Sequence, residues 1–267
     1  MKFLRHVNTL TTSLSLGFVL FFATAGMVSL TAITGCSSID KIDTNTAEGG
    51  VKLADEYAKD ERYEEAIQKY TEVKNKFPYS KLATESELKI ADINYKRESF
   101  IEAQNNYQLF KEFHPKNPQS DYVTFRLGMS YFKQLPSTID RDLSLAEKAI
   151  VYFDEVMSSF PQSTYVTESK ERKAQSLHML AGKEMYIAGF YDKKKMYDSA
   201  MKRYEGVLKS YPNAGYDAQA LYGAAKGAFN TGEKDRASQH LKNLYSLFPT
   251  SSEAQRAKNE FEKLGTN

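Results

Sequence analysis

One figure of hydrophobic positions recurs five times along this chain. Ala66, Ala103, Ala149, Ala200 and Ala237 are each followed four residues later by a bulky side chain: Tyr70, Tyr107, Phe153, Tyr204 and Leu241. Seven residues after each alanine stands another apolar residue, Val73, Phe110, Val156, Val207 or Leu244, and twelve after it a proline, Pro78, Pro115, Pro161, Pro212 or Pro249. Apolar positions at 0, 4 and 7 mark one face of an α-helix, and proline stops the helix because it lacks an amide donor and disfavours helical geometry in its predecessor. Upstream of each alanine a second helical pattern pairs an apolar residue with a small one: Leu53-Ala54, Ile90-Ala91, Leu127-Gly128, Ile187-Ala188 and Ala224-Ala225. Small side chains let two antiparallel helices approach closely, and Tyr57, Tyr131 and Tyr191, three residues further on, fill the adjoining gaps. Ser80, Ser163 and Ser251, each two residues past a proline, are expected N-caps of the helices that follow.

The prolines lie 37, 46, 51 and 37 residues apart, so a 37-residue unit carries insertions of 9 and 14 residues. The first, around Leu135 to Asp142 with Pro136, falls between the two helices of the third unit and predicts a loop. The second lies between Pro161 and Ala188, where Gly182 is the only glycine or proline, and predicts a helix lengthened by about four turns. The alanine, small-residue, aromatic and terminal-proline positions resemble the tetratricopeptide repeat. That resemblance implies an all-α superhelical solenoid of about five helix pairs, with one continuous core and an extended concave binding face. The expected division is a signal peptide at 1–35, a lipidated linker at 36–46, repeats 1, 2 and the start of 3 at 47–135, the remainder of repeat 3 with repeats 4 and 5 at 136–254, and a helix end with a tail at 255–267.

The amino terminus follows different rules. Lys2, Arg5 and His6 open the chain, and Val7 to Gly35 holds no charged residue. Such a stretch enters a membrane, and its length also suits a spanning helix, which needs about 20 apolar residues. Its ending, Ile33-Thr34-Gly35-Cys36, resembles the bacterial lipobox. The resemblance implies cleavage after Gly35, an S-diacylglycerol on the Cys36 thiol and an N-palmitoyl group on its new amine. Several acyl chains on one residue, at about 0.8 kcal/mol per buried methylene, anchor durably where a single chain does not. Ser37 rather than Asp follows, so the inner-membrane retention signal is absent. Loss of residues 1–35 leaves 34 positive and 34 negative charges.

Composition narrows the chemistry. The chain has 267 residues, 41% hydrophobic and 26% charged, which describes a folded, water-facing protein. A net charge of +2 is too balanced for a protein that wraps nucleic acid, so no nucleic-acid partner is expected. A single cysteine forms neither an internal disulfide nor a thiolate metal cluster. His6, His114, His178 and His240 share no ligand spacing, and no nucleophile elbow, P-loop, zinc-protease or dinucleotide motif occurs. No enzymatic activity is therefore expected, and no cofactor beyond the lipid. Asp140-Arg141-Asp142 reads as loop charge or a helix-starting cap. Lys193, Lys194 and Lys195 with Lys202 and Arg203 form the densest positive patch, suited to a wet helix end, or to an acidic partner or lipid head groups. Most of the 18 Tyr and 16 Phe fall at repeat-defining positions and are assigned to packing.

Four segments go further and resemble the BamD family of lipoproteins of the bacterial β-barrel assembly machinery. They are PKNPQSDYVTFRLGMSY from Pro115 to Tyr131, the Asp140-Arg141-Asp142 triplet, the stretch from Phe160 to Ala200, and KRYEGVLKSYP from Lys202 to Pro212. The resemblance implies a non-catalytic protein lipid-anchored at the periplasmic face of the outer membrane. Its implied partners are the POTRA domains of BamA, other lipoproteins of the machinery where present, and unfolded outer-membrane protein precursors. Arg203, flanked by Lys202 and Glu205, matches a family arginine and is expected to meet an acidic POTRA residue. The tetratricopeptide register implies a precursor groove of Asp92 and Tyr95 from repeat two with Tyr122, Phe125, Met129 and Phe132 from repeat three, packing between helices being the rival reading. An alternative is another envelope tetratricopeptide adaptor, Tol-Pal or peptidoglycan-associated, against which the lipobox and the long fourth-repeat helix argue.

Overall fold

Each of the five repeated patterns folds as a pair of helices. The computed structural model describes residues 42–261, which hold α1 (Ala47–Lys59), α2 (Tyr63–Lys76), α3 (Lys81–Lys96), α4 (Phe100–Phe113), α5 (Ser120–Lys133), α6 (Ser144–Ser159), α7 (Val166–Lys193), α8 (Tyr197–Ser210), α9 (Asp217–Asn230), α10 (Lys234–Leu247) and α11 (Ser252–Phe261), with no strand among them. Every helix packs on its neighbours in sequence, and α1 also meets α3, α5 meets α7 and α9 meets α11. That is the tetratricopeptide arrangement, closed at its carboxyl end by α11, whose Ala254 and Ala257 are fully buried beside Leu221 and Leu244. The boundary expected at 254 falls inside α11.

The prolines act as the sequence requires. α2, α4, α6, α8 and α10 each end two residues before one, and the intervening Phe77, His114, Phe160, Tyr211 and Phe248 share φ of −125° to −133° and ψ of 51° to 56°. Of the expected caps, the Ser80 hydroxyl accepts from the Leu82 amide at 3.1 Å and that of Ser251 from Ala254 at 3.1 Å. Ser163 instead takes the Tyr165 amide at 3.2 Å, in a turn that precedes α7.

Within four of the pairs the chain reverses through one left-handed residue: Glu61, Glu98, Lys195 and Gly232, with φ of 59° to 85°. The amide after each bonds to a carbonyl five residues back, as from Arg62 to Tyr57 at 2.8 Å and from Met196 to Tyr191 at 3.0 Å, which closes the helix end. The third pair carries the nine-residue insertion there instead. It is a loop, with Leu135 and Ile139 packed against Leu143, Ala146 and Leu180, and Asp142 holding the Ser144 amide at 3.0 Å where α6 begins.

Between the helices Gly128 does the work expected of it, and Gly223, which the sequence pattern did not single out, does the same. A Cβ on Gly223 would lie 2.5 Å from the Tyr204 ring, and one on Gly128 would lie 2.9 Å from that of Phe153. Tyr70, Tyr107 and Phe153 are wholly buried, as are Ala66, Ala103 and Ala149 four residues before them. The 14-residue insertion becomes helix: α7 has 28 residues where α8 has 14.

Candidate functional site

The repeat builds a three-helix tie that changes character along the chain. On α1, Asp55 accepts from the Tyr70 hydroxyl of α2 at 2.5 Å and from Lys89 of α3 at 2.7 Å. Thirty-seven residues on, Asp92 of α3 accepts from the Tyr107 hydroxyl of α4 at 2.6 Å, but its second donor is the Tyr122 hydroxyl of α5, also at 2.6 Å. The cation in register with Lys89 is Arg126. Its guanidinium lies over the rings of Tyr95 and Tyr122, at 4.6 and 5.2 Å, with Nε buried and without a hydrogen-bond partner. These side chains border an open pocket of about 490 Å³ that Lys96, Glu98, Phe100 and Lys133 also line. Burial holds the Tyr122 hydroxyl up at about 12, reinforced by its bond to Asp92, and pushes that of Tyr107 higher still. Both phenols therefore stay protonated donors at neutral pH, and Asp92 stays occupied by them.

Of the six expected groove residues, Asp92, Tyr95 and Tyr122 line this pocket. Phe125 and Met129 do not: at 3% and 4% exposure they belong to the core cluster around Phe153 and Tyr107. The correction has a physical cause. Tyr165, in the turn before α7, stacks on Phe125 at 4.8 Å, and Arg172 of α7 lies 5.6 Å from the Phe132 ring, so the chain returning from α6 covers this side of α5. Phe132 is left half-buried against the same cluster. Arg126 was absent from the expected groove, although its spacing from Lys89 equals the repeat period.

A second surface gathers where α7 meets α8. Lys193, Lys194 and Lys195 are exposed beside exposed Phe190 and Met196, with Tyr186 exposed one turn back on α7. Arg203 is exposed and donates to Glu184 of α7 at 2.8 Å, while Lys202 donates to Asp198 at 2.8 Å. Glu205, expected beside Arg203 at a partner surface, is paired inside the chain. Its carboxylate takes the Arg236 guanidinium through two oxygens, at 2.7 and 2.5 Å, and His240 at 2.8 Å, so it clamps α10 to α8 inside the chain. Removing Glu205 would disturb that helix contact whether or not a partner binds nearby.

Cys36 and its lipobox lie outside the described residues. Among the described residues no helix is long and apolar enough to cross a membrane, and no group of three or more His, Cys, Asp or Glu is placed to hold a metal ion.

A family model described as an outer membrane lipoprotein, YfiO, matches residues 51–222, and a tetratricopeptide repeat model matches residues 219–251. The outer membrane protein assembly factor BamD of Neisseria meningitidis serogroup A is 27% identical over 237 residues, covering 84% of this chain and 89% of that protein. BamD of Rickettsia prowazekii is 27% identical over 190 residues, 71% of this chain and 75% of its own length. That of Pasteurella multocida is 27% identical over 203 residues, with coverages of 72% and 76%. A solved tetratricopeptide repeat protein from Parabacteroides merdae aligns with 75% of this chain and 64% of its own, at 15% identity and a TM-score of 0.36. With the family model matching most of its length, from the first helix pair into α9, this chain belongs to the YfiO family of outer membrane lipoproteins.

Proposed function

We propose that this chain is a non-catalytic scaffold in outer membrane protein assembly, the process for which its relatives are named assembly factors. Lipid on Cys36, with S-diacylglycerol on the thiol and N-palmitoyl on the amine, holds it at the periplasmic face. The basic end around Arg203 and Lys202 binds an acidic face of the BamA POTRA domains, and other lipoproteins of the machinery join where present. The pocket around Asp92, Tyr95 and Tyr122, open and aromatic, receives extended segments of unfolded barrel precursors, as grooves between helices receive peptides. Binding and alignment, not bond-making, carry the task.

The family match over residues 51–222 carries this reading, because it spans both the Asp92 pocket and the Arg203 helix. Reconstitution tests it. Liposomes holding a POTRA-bearing barrel protein from the same source, with and without the lipidated chain, are given a urea-unfolded barrel precursor, and folding is followed by heat-modifiable gel mobility. Faster folding with the chain supports the proposal; equal rates with and without it contradict it.

A further inference from the structure

We infer that the turn from α2 to α3 rests on the anionic phospholipid surface of the membrane that holds the chain, an inference that depends on the lipid anchor proposed above. The repeat supplies its own control. The residue after each repeat proline is polar and exposed four times, as Lys116, Gln162, Asn213 and Thr250, but in the first repeat it is Tyr79, 102% exposed. Lysines flank it on both sides: between Glu72 and Glu85 the chain holds Lys74, Lys76 and Lys81 and no acid. Among the described residues none of the three has a carboxylate in ion-pair reach, and Lys76 lies instead over the Phe77 ring at 5.4 Å. The arginines at the opposite ends of the same helices are taken, Arg62 by Glu65 at 3.0 Å and Arg97 by Glu64. An exposed tyrosine among lysines suits a bilayer surface, where the ring enters the headgroup layer and the ammonium groups meet its phosphates.

The fold brings this turn to where the lipid-bearing segment arrives. Thr44 and Asn45, just ahead of α1, line one pocket with Lys76 and Phe77. Ten residues on from Cys36 is the α1 N-cap Thr46, a span of at most about 36 Å when fully extended. The next turn lies alongside, since Phe113, exposed at the end of α4, lines a second pocket with Lys74 of α2. Tyr79 and Phe113 are the exposed aromatic residues of the first two repeats, and both occupy this edge. Acids beside them are engaged within the chain: Glu72 by Lys69 at 2.7 Å, Glu112 by Gln108 at 2.6 Å, and Asp43 by the Asn45 amide at 2.9 Å. That leaves exposed Glu48 against Lys74, Lys76, Lys81 and Lys116.

The chain has no tryptophan, so a single one introduced by substitution reports its own surroundings. The full lipidated chain carrying Tyr79→Trp or, as a control at the exposed start of α4 on the opposite edge, Ile101→Trp is reconstituted into vesicles of phosphatidylethanolamine and phosphatidylglycerol, with and without brominated acyl chains. Flotation with the vesicles reads the anchor, and emission reads the edge. The Tyr79→Trp chain should float and lose emission to the brominated lipid, whereas the Ile101→Trp chain should float and keep its emission. Adding Lys76→Glu and Lys81→Glu to the first chain should restore its emission while flotation persists. Equal quenching of both chains, quenching of neither, or quenching untouched by the two charge reversals overturns the inference and leaves the anchor standing. Emission from the Tyr79→Trp chain that shifts only when a POTRA-bearing barrel protein is added assigns the turn to a protein contact and also overturns it. Failure of both chains to float removes the anchor and the inference together.

Discussion

Arg203 on α8 donates to Glu184 on α7 at 2.8 Å, so the arginine expected to reach a partner already has one inside the chain. Side-chain exposures of 45% and 27% leave the pair wet, and such a pair contributes about 0–1 kcal/mol. Arg203→Glu should therefore melt close to the wild type yet lose its POTRA-bearing partner in affinity purification. Exchanging the two residues, Arg203→Glu with Glu184→Arg, separates the roles. If Arg203 meets the partner directly, the exchanged protein stays folded and still fails to bind. Restored binding would mean that Arg203 acts only by holding α7.

Two glycines should respond to alanine with opposite signs. At Gly223 the new Cβ would meet the Tyr204 ring at 2.5 Å, where overpacking costs about 1–3 kcal/mol. At Gly189, inside α7, nothing lies within 4 Å, so alanine should add about 0.5–1 kcal/mol through helix propensity alone. Urea titration of both variants reads the contrast directly. The same logic makes Ala149→Leu, at a fully buried helix contact, destabilising by about 1–3 kcal/mol.

The tyrosine pair on Asp92 gives a signed pH dependence. An unfolded Tyr122 phenol ionises near 10 and the folded one near 12, so the unfolded state releases its proton first. The stabilisation is complete below pH 10 and disappears between 10 and 12. Tyr122→Phe should show a shallower fall in stability over that range than the wild type. Tyr107→Phe, which deletes a wholly buried donor to a carboxylate, should cost about 1.5–3 kcal/mol at neutral pH.

The helices were readable in the sequence because local rules fix them. Five prolines, five alanines with bulky residues four and seven on, and two insertions gave the helix ends, the buried seam, the loop at 134–143 and the doubled length of α7. The groove was only half readable. A register copied along α5 put Phe125 and Met129 on an open face, but which way the lengthened α7 runs is a tertiary matter, and Tyr165 and Arg172 come to lie on that face. The pairing of Glu205 was unreadable for a related reason: its partners Arg236 and His240 sit 31 and 35 residues away, beyond any helical spacing. Arg126 was within reach, since comparing Lys89 with the residue 37 positions on exposes a cation that has lost its carboxylate.

The lipid can be tested without the rest. Labelled palmitate should enter the wild type and not Cys36→Ser, with the mature chain beginning at residue 36. Label persisting in the mutant would place the modification elsewhere.

Whether this chain serves barrel assembly is decided most directly by what it holds in the envelope. The full-length tagged protein, extracted from its own membranes in mild detergent and purified under native conditions, should bring down an outer-membrane barrel protein that carries POTRA domains, in near-equal amount, and lose it with Arg203→Glu. Recovery of a peptidoglycan-binding or Tol-Pal lipoprotein with no barrel protein would contradict that role.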